Sequence, residues 1–162
     1  MSIRHRVMRA LGHRRWFAAA GRRFAPLDRF LYRATRGRVA STSGVAPTML
    51  LTTIGRRTGR ARTTPVMYVR DGERFVVSSE NFGQRRTAAW PLNLAADARA
   101  QIQIGSEIVT CWARLLEEGE ADRYWPRLVE AWPAHETYRA RSGTRRTFLL
   151  EPRSPDSSAS LP

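Results

Sequence analysis

The sequence predicts an α+β fold, mainly β, in which about six strands form a small antiparallel barrel with helices at its ends. Three observations point there. From Thr48 onward the apolar spacing changes from helical to strand-like. Two pairs of the resulting runs meet at Asp71-Gly72 and at Gly105-Ser106, dipeptides that suit tight hairpin turns, and a hairpin makes its strands antiparallel. Finally, 162 residues suffice for one core burying roughly two thirds of the unfolded chain's surface. The reading is one domain over 26–152, preceded by a basic arm over 1–25 and followed by a polar, disordered tail over 153–162.

Taken in order, residues 1–23 interleave arginine with Ile3, Val7, Met8, Leu11, Trp16 and Phe17, a loose helical spacing that suits either a frayed extension or an amphipathic arm on anionic lipid. Pro26 opens a clearer helix, with Leu27, Phe30, Leu31 and Ala34 on one side until Gly37 stops it. The runs TMLLTTI, TTPVMYVR and RFVVSS then read as strands. Residues 84–96 read as a short helix weakened by Pro91, AQIQIG and EIVTCWARLL as a second hairpin, and RRTFLLEP as the closing strand. Between the last two, Glu120 to Trp132 forms a helix with Tyr124, Leu128 and Ala131 on one side, and Pro126 is expected to kink or restart it.

All 28 basic residues are arginine, and the formal net charge is +14. Eleven of those arginines face a single acid, Asp28, within residues 1–38, so strong positive charge is chiefly N-terminal. The lone cysteine, Cys111, excludes an intramolecular disulfide framework, fits a reducing cytosol and reads as a small core residue. No stretch approaches the ~20 apolar residues of a spanning helix. These features lead to the expectation of a cytoplasmic protein, with the arm over 1–25 available for peripheral contact with the inner face of the cell membrane.

Several chemistries lack their residues. His5, His13 and His135 are the only histidines, and no Cys/His or His/carboxylate spacing suits a metal. There is no Gly-x-Ser-x-Gly element and no phosphate loop with its lysine. Acids are too few outside the surface helix and turns for a paired-carboxylate site. An enzyme of this composition would leave the hard chemistry to a cofactor.

The stretch TTIGRRTGRARTTPV, residues 52–66, supplies the ligand-binding equipment. It sets Arg56, Arg57, Arg60 and Arg62 around Gly55 and Gly59. Glycines there permit positive φ, so the turn is expected to curl its N–H groups around an anion while Arg56, Arg57 and Arg62 pair with phosphate or carboxylate oxygens. By charge alone, a solvated turn explains it equally well.

Four segments in order, PLDRFLYRATRGR, LLTTIGRRTGRARTTPVMYVRDGERFVVSSENFG, RTAAWPLNLAADARAQIQIG and YWPRLVEAWPAHETY, resemble the deazaflavin (coenzyme F420)-dependent nitroreductases, also called F420H2-dependent quinone reductases. The likeness runs from about Pro26 to Pro152. It implies a split β-barrel of the flavin- and F420-binding type, with F420 in a groove. By the resemblance, Arg56, Arg57 and Arg62 meet the cofactor's phosphate and oligoglutamate tail. Thr63, Thr64, Pro65 and Met67 run beside it, and Ser78, Ser79 and the loop Glu80, Asn81, Phe82 and Gly83 line its ring and ribityl chain. Trp90 packs under that loop, and Trp132, His135 and Tyr138 lie over the acceptor. Many relatives have lysine where this chain has Asn81, with Arg85 or Arg86 nearby to compensate. On burial tendencies alone, Trp90 and Trp112 read as core.

The implied activity is hydride transfer from reduced F420 to a small hydrophobic acceptor, a quinone, enone or nitroaromatic, with His135, Tyr138 or solvent giving the proton. Two alternatives stand beside it. One is a non-catalytic arginine-rich binder of nucleic acid or anionic lipid, although no recognition helix or RNA-binding signature is present and a specific nucleic-acid partner is not expected. The other is FMN or haem on the same barrel.

Overall fold

Strand-forming runs in this chain alternate so that one set of side chains fills a barrel. A computed structural model describes residues 46–153; the basic arm, the helix expected from Pro26 and the tail beyond Arg153 lie outside the described residues. Among the described residues six strands occur: β1 (Thr48–Ile54), β2 (Ala61–Asp71), β3 (Arg74–Ser79), β4 (Arg99–Ile104), β5 (Glu107–Leu115) and β6 (Arg146–Pro152). They pair in the order β1-β2-β3-β6-β5-β4, and β4 pairs with β1 to close the barrel. Every pairing is antiparallel. The chain thus builds two three-stranded meanders and joins them along two seams, where Thr52 faces Gln101 and Ser78 faces Thr147. Expectation and structure agree on a six-stranded antiparallel barrel.

Met49, Leu51, Val66, Phe75, Val77, Ala100, Ile102, Cys111, Phe148 and Leu150 form the interior. Burial pushes the Cys111 thiol up to about 12, so it stays protonated and unreactive. Strands β3 and β6 are apolar on both faces because their outer face is also covered: Val76 and Leu149, with Val69 of β2, pack beneath Leu116, Ala121 and Leu128. This explains the unbroken runs FVV and FLL, which alternate poorly because both faces are dry.

Three helices complete the described chain: α1 (Ala89–Ala96), α2 (Glu118–Ala131) and α3 (Ala134–Ser142). The first is shorter than expected, since Ala88 is extended at φ −60° and ψ 161°. Pro91 falls in its first turn, where an N–H has no helical partner anyway, and so does not weaken it. Helix α2 starts earlier than expected, on a capping box between Glu117 and Glu120. It also runs through Pro126 without a restart; Ala121 and Leu128 are buried on either side of the proline and anchor both halves to the sheet.

Trp112 overturns its core reading. It lies 40% exposed on the outer face of β5, with the Arg153 guanidinium 4.9 Å from its ring centre. The Arg153 N–H donates to the Thr110 carbonyl at 2.9 Å, so ordered structure extends to that residue. Trp90 does pack on the core, its ring centre 5.8 Å from that of Phe148.

Candidate functional site

The arginine-rich stretch is the β1–β2 turn, and its geometry differs from an anion-cradling loop. The Gly55 N–H donates to the Arg60 carbonyl at 2.9 Å, and the N–H groups of Thr58 and Gly59 donate back to the Gly55 carbonyl at 3.0 and 2.8 Å. The Arg56 N–H donates to Asn93 Oδ1 at 3.2 Å. The backbone donors expected to greet a ligand are therefore engaged in building the turn. Gly59 has the expected positive φ of 64°, but Gly55 does not. Gly55 is needed for space, because a Cβ there would lie 2.9 Å from Thr58 Oγ1 and 3.1 Å from the Arg60 carbonyl.

What the turn offers a ligand is side chains. Arg56, Arg57, Arg60 and Arg62 are all exposed. Among the described residues none of them pairs with an acid, whereas Arg74, Arg99, Arg114, Arg127 and Arg145 all do. The turn is moored from below by Asn93 of α1. Its amide Nδ2–H donates to Thr53 Oγ1 at 3.1 Å while its oxygen holds Arg56. Asn93 is 4% exposed and both contacts cross from helix to strand.

From this turn β2 runs along the outer surface. Thr63 shares a hydroxyl–hydroxyl bond of 2.9 Å with Thr52. Alternation places Thr63 and Pro65 on the face of Met67, which packs with Trp132, Ala134, Tyr138 and Ala46. Thr64 instead falls on the face of Val66, toward the barrel interior, so the three consecutive residues expected beside one ligand are split between two faces. At ~3.3 Å per residue, the track from Arg62 to Met67 spans roughly 17 Å.

At the end of β3 the chain turns into a polar network beneath α3. Ser78 Oγ donates to Glu80 Oε1 at 2.6 Å and lies 3.1 Å from Thr147 Oγ1 across the β3–β6 seam. His135 Nδ1 lies 2.7 Å from Glu80 Oε2. The His135 and Glu80 side chains are 7% and 2% exposed. Glu80, expected to line the ligand with its loop, thus directs its side chain to Ser78 and His135. Two nearby ring nitrogens, Trp132 Nε1 and His135 Nε2, are buried with no partner among the described residues.

The following 3-10 turn, Asn81–Gly83, has three residues in succession at positive φ: Asn81 at 45°, Phe82 at 54° and Gly83 at 77°. For Asn81 and Phe82 this costs of order 1–3 kcal/mol each, offset by contacts on both sides. The Asn81 amide donates to the Arg86 carbonyl, and the Phe82 ring sits 5.8 Å from that of Tyr138. Gly83 is required by α3, since a Cβ would meet Arg141 Cβ at 3.1 Å. Ser79 falls on the face of Val77, with its Oγ 3.4 Å from the Asn81 N–H.

The structure thus brings Met67, Ser78, Glu80, Phe82, Trp132, His135 and Tyr138 into one region on the outer faces of β2, β3 and α3. It leaves Arg56, Arg57 and Arg62 at the head of the same strand. Sequence reasoning missed Asn93 and Thr147; the only trace of either is a polar residue set among apolar ones, in PLNL and RTFLL. Among the described residues no helix is long and apolar enough to cross a membrane.

A closed antiparallel barrel with a cationic turn at the head of an outer strand that leads to an aromatic cluster is the class of protein to which the geometry assigns this chain. Comparison with known proteins identifies which kind. Residues 27–150 match the family model of F420H(2)-dependent quinone reductases, and the chain belongs to that family. The F420H(2)-dependent quinone reductase Rv1261c of Mycobacterium tuberculosis (strain ATCC 25618 / H37Rv) is 32% identical over 98 residues, which are 59% of this chain and 66% of that protein, just under two thirds of its length. Rv3178 of the same strain, named provisionally for the same activity, is 31% identical over 110 residues, covering 66% of this chain and 91% of its own. The solved structure of an F420-H2-dependent reductase, FDR-A, superposes with a TM-score of 0.60 at 27% identity, covering 65% of this chain and 94% of that one.

Proposed function

We propose that this chain reduces a quinone-type acceptor with reduced coenzyme F420 as hydride donor. The observation that carries the reading is the β1–β2 turn: four exposed guanidinium groups, without acidic partners among the described residues, stand at the head of a strand that leads to buried aromatic residues. An F420 molecule is anionic at its phosphate and glutamate end and planar at the other, and the residues present fit that asymmetry. Arg56, Arg57 and Arg62 would hold the anionic end as two-pronged donors. Thr63, Pro65 and Met67 would flank its length, and the backbone of Ser78, Ser79 and the Glu80–Gly83 turn would line the ring, with Trp90 supporting from the core and Arg86 beside the turn. Thr64 contributes through its place in the strand. When bound, the deazaflavin supplies a hydride, two electrons with one proton.

The chain's own residues would do the rest. Trp132 and Tyr138 form an apolar wall that excludes water from the acceptor, and His135 or Tyr138 provides a proton. For the arm over 1–25, arginine content and interleaved apolar residues support peripheral contact with an anionic membrane, where lipid-soluble quinones reside. The test is direct. Added F420 should raise the thermal midpoint, and reduced F420 mixed anaerobically with menadione should regain the visible absorbance of its oxidised form. An unchanged midpoint together with unchanged absorbance overturns the reading.

A further inference from the structure

We propose that Glu80 and His135 form a proton-delivering pair, with Glu80 the positioning residue and His135 Nε2 the atom that gives its proton to the reduced acceptor. This rests on the quinone reduction proposed above.

The proposed state of the pair assigns a place to each hydrogen of this network. Each hydroxyl has one hydrogen. Ser78 gives its hydrogen to Glu80 Oε1 at 2.6 Å, so across the 3.1 Å contact Thr147 must donate to Ser78. In the proposed pair both carboxylate oxygens of Glu80 accept, Oε1 from Ser78 and Oε2 from His135 Nδ1–H across the 2.7 Å contact. Both distances are those of hydrogen bonds to an ionised carboxylate. A carboxylate on a side chain 2% exposed calls for a counter-charge, and a protonated His135 would place that cation in direct contact with it. In that form Nε2 also carries a proton.

A purely structural ion pair would satisfy this second nitrogen. Here Nε2 is buried and has no partner among the described residues, as is true of the neighbouring Trp132 Nε1. Buried donors are rarely left so, and those that are call for a specific reason. The two rings share one bend of chain, since the His135 N–H donates to the Trp132 carbonyl at 3.1 Å between α2 and α3. Trp132 packs against Met67, proposed to flank the cofactor, and Tyr138, proposed to line the acceptor. The other charged and titratable groups around the imidazole are Tyr138 and Arg139, one turn further along α3, and, beyond the Trp125 ring, Arg145 just before β6 with Asp122 of α2. Arg139 and Arg145 each lie 5.1 Å from the ring centre of Trp125, which presents its ring to His135 at 6.0 Å, and Arg145 is paired with Asp122.

The step balances. Hydride addition converts the quinone to a hydroquinone monoanion, and the coenzyme is oxidised by two electrons. The Nε2–H bond breaks as the new O–H bond forms, leaving neutral hydroquinone and a neutral His135 whose Nδ1–H remains on Glu80. Solvent returns one proton to Nε2 between turnovers.

Two measurements test this. The first needs no cofactor: in a His5→Gln/His13→Gln protein the only imidazole is His135, and nitrogen-15 NMR reports which ring nitrogen keeps its proton when the ring is neutral. We expect Nδ1, and reversion toward Nε2 in Glu80→Gln. A neutral ring protonated at Nε2 overturns the pair, whether or not any variant is active. The second compares kcat with menadione across pH. We expect kcat to fall roughly 10²-fold in His135→Asn and about tenfold in Glu80→Gln, with the wild-type decline toward high pH absent from His135→Asn. Variants that keep the wild-type kcat and pH profile overturn this inference alone. Wild-type protein that neither binds nor oxidises the reduced coenzyme overturns the proposed function, and this inference with it.

Discussion

The two turns of the β1–β2–β3 meander carry the same residue type in opposite circumstances. At residues 55–60 the arginines are exposed, and among the described residues no acid answers them. At residues 71–74, the other end of β2, Asp71 binds Arg74 at 2.6 Å, lies 3.8 Å from Arg127, and accepts from the Tyr124 hydroxyl at 2.7 Å. Arg70 beside it lies 4.9 Å from the ring centre of Phe75. In a chain that uses arginine for every basic position, arginine density says little about function. What separates a binding turn from a structural one is whether its charge is already neutralised within the fold.

The contrast breaks most sharply if the first turn is discharged. Replacing Arg56, Arg57 and Arg62 together with alanine should weaken F420 affinity by roughly 10²–10³-fold, about 3–4 kcal/mol spread over charge-assisted contacts. The thermal midpoint should hardly move, because exposed side chains away from caps and cores contribute little to stability. Fluorescence titration and a melting curve on the same sample read both quantities. A large drop in midpoint with unchanged affinity would make this turn structural, like its counterpart.

A smaller effect is expected from the residue beneath the turn. Asn93→Ala removes the bridge from α1 to both Thr53 and the Arg56 N–H, leaving a buried hydroxyl and an N–H without their partner. The cost should be about 1–3 kcal/mol of stability. Affinity for F420 should fall by up to about tenfold as the guanidinium groups lose their fixed base. Equal melting curves for the two proteins would show that the turn holds its own shape.

These residues also mark how far the sequence could be read. Strand positions, both hairpins and the barrel were legible because Asp71-Gly72, Gly105-Ser106 and the alternating runs are local signals. The arginine turn was legible as charge, but its internal hydrogen bonds were not: a glycine excluded by steric closeness, Gly55, and a glycine at positive φ, Gly59, look alike in sequence. The Glu80–His135 contact joins residues 55 apart in the chain. Both residues were singled out, yet with separate roles, since nothing local tells Glu80 to leave its loop and face α3. Asn93 and Thr147 were illegible for a related reason, as each acts through a neighbour that only the closed barrel supplies. Trp112 failed in the other direction: burial tendency favours the core, while strand parity puts it outside with Arg153 as its cover.

The smallest effect concerns the second turn and is best seen as a pH difference. The Tyr124 hydroxyl donates to Asp71 and is the largest cause holding that carboxyl below its ordinary value, with Arg74 and Arg127 adding to it and partial burial opposing. The same bond is the largest cause raising the Tyr124 phenol. A depressed carboxyl stabilises the fold at pH above its unfolded value, near ~3.9, and the benefit is lost as pH falls through the lower folded value. A raised phenol stabilises below its unfolded value, near ~10, and the benefit is lost as pH rises through the higher folded value. Tyr124→Phe should therefore melt below wild type across the plateau between those limits, with the two curves converging at both extremes. F420 affinity should be untouched, since Asp71 lies at the opposite end of β2 from the arginine turn. A gap in midpoint that persists unchanged into strong acid and strong base would mean the phenol stabilises by packing against Val69 and Leu128 alone, and the second turn's charges would then be as idle in the fold as those of the first.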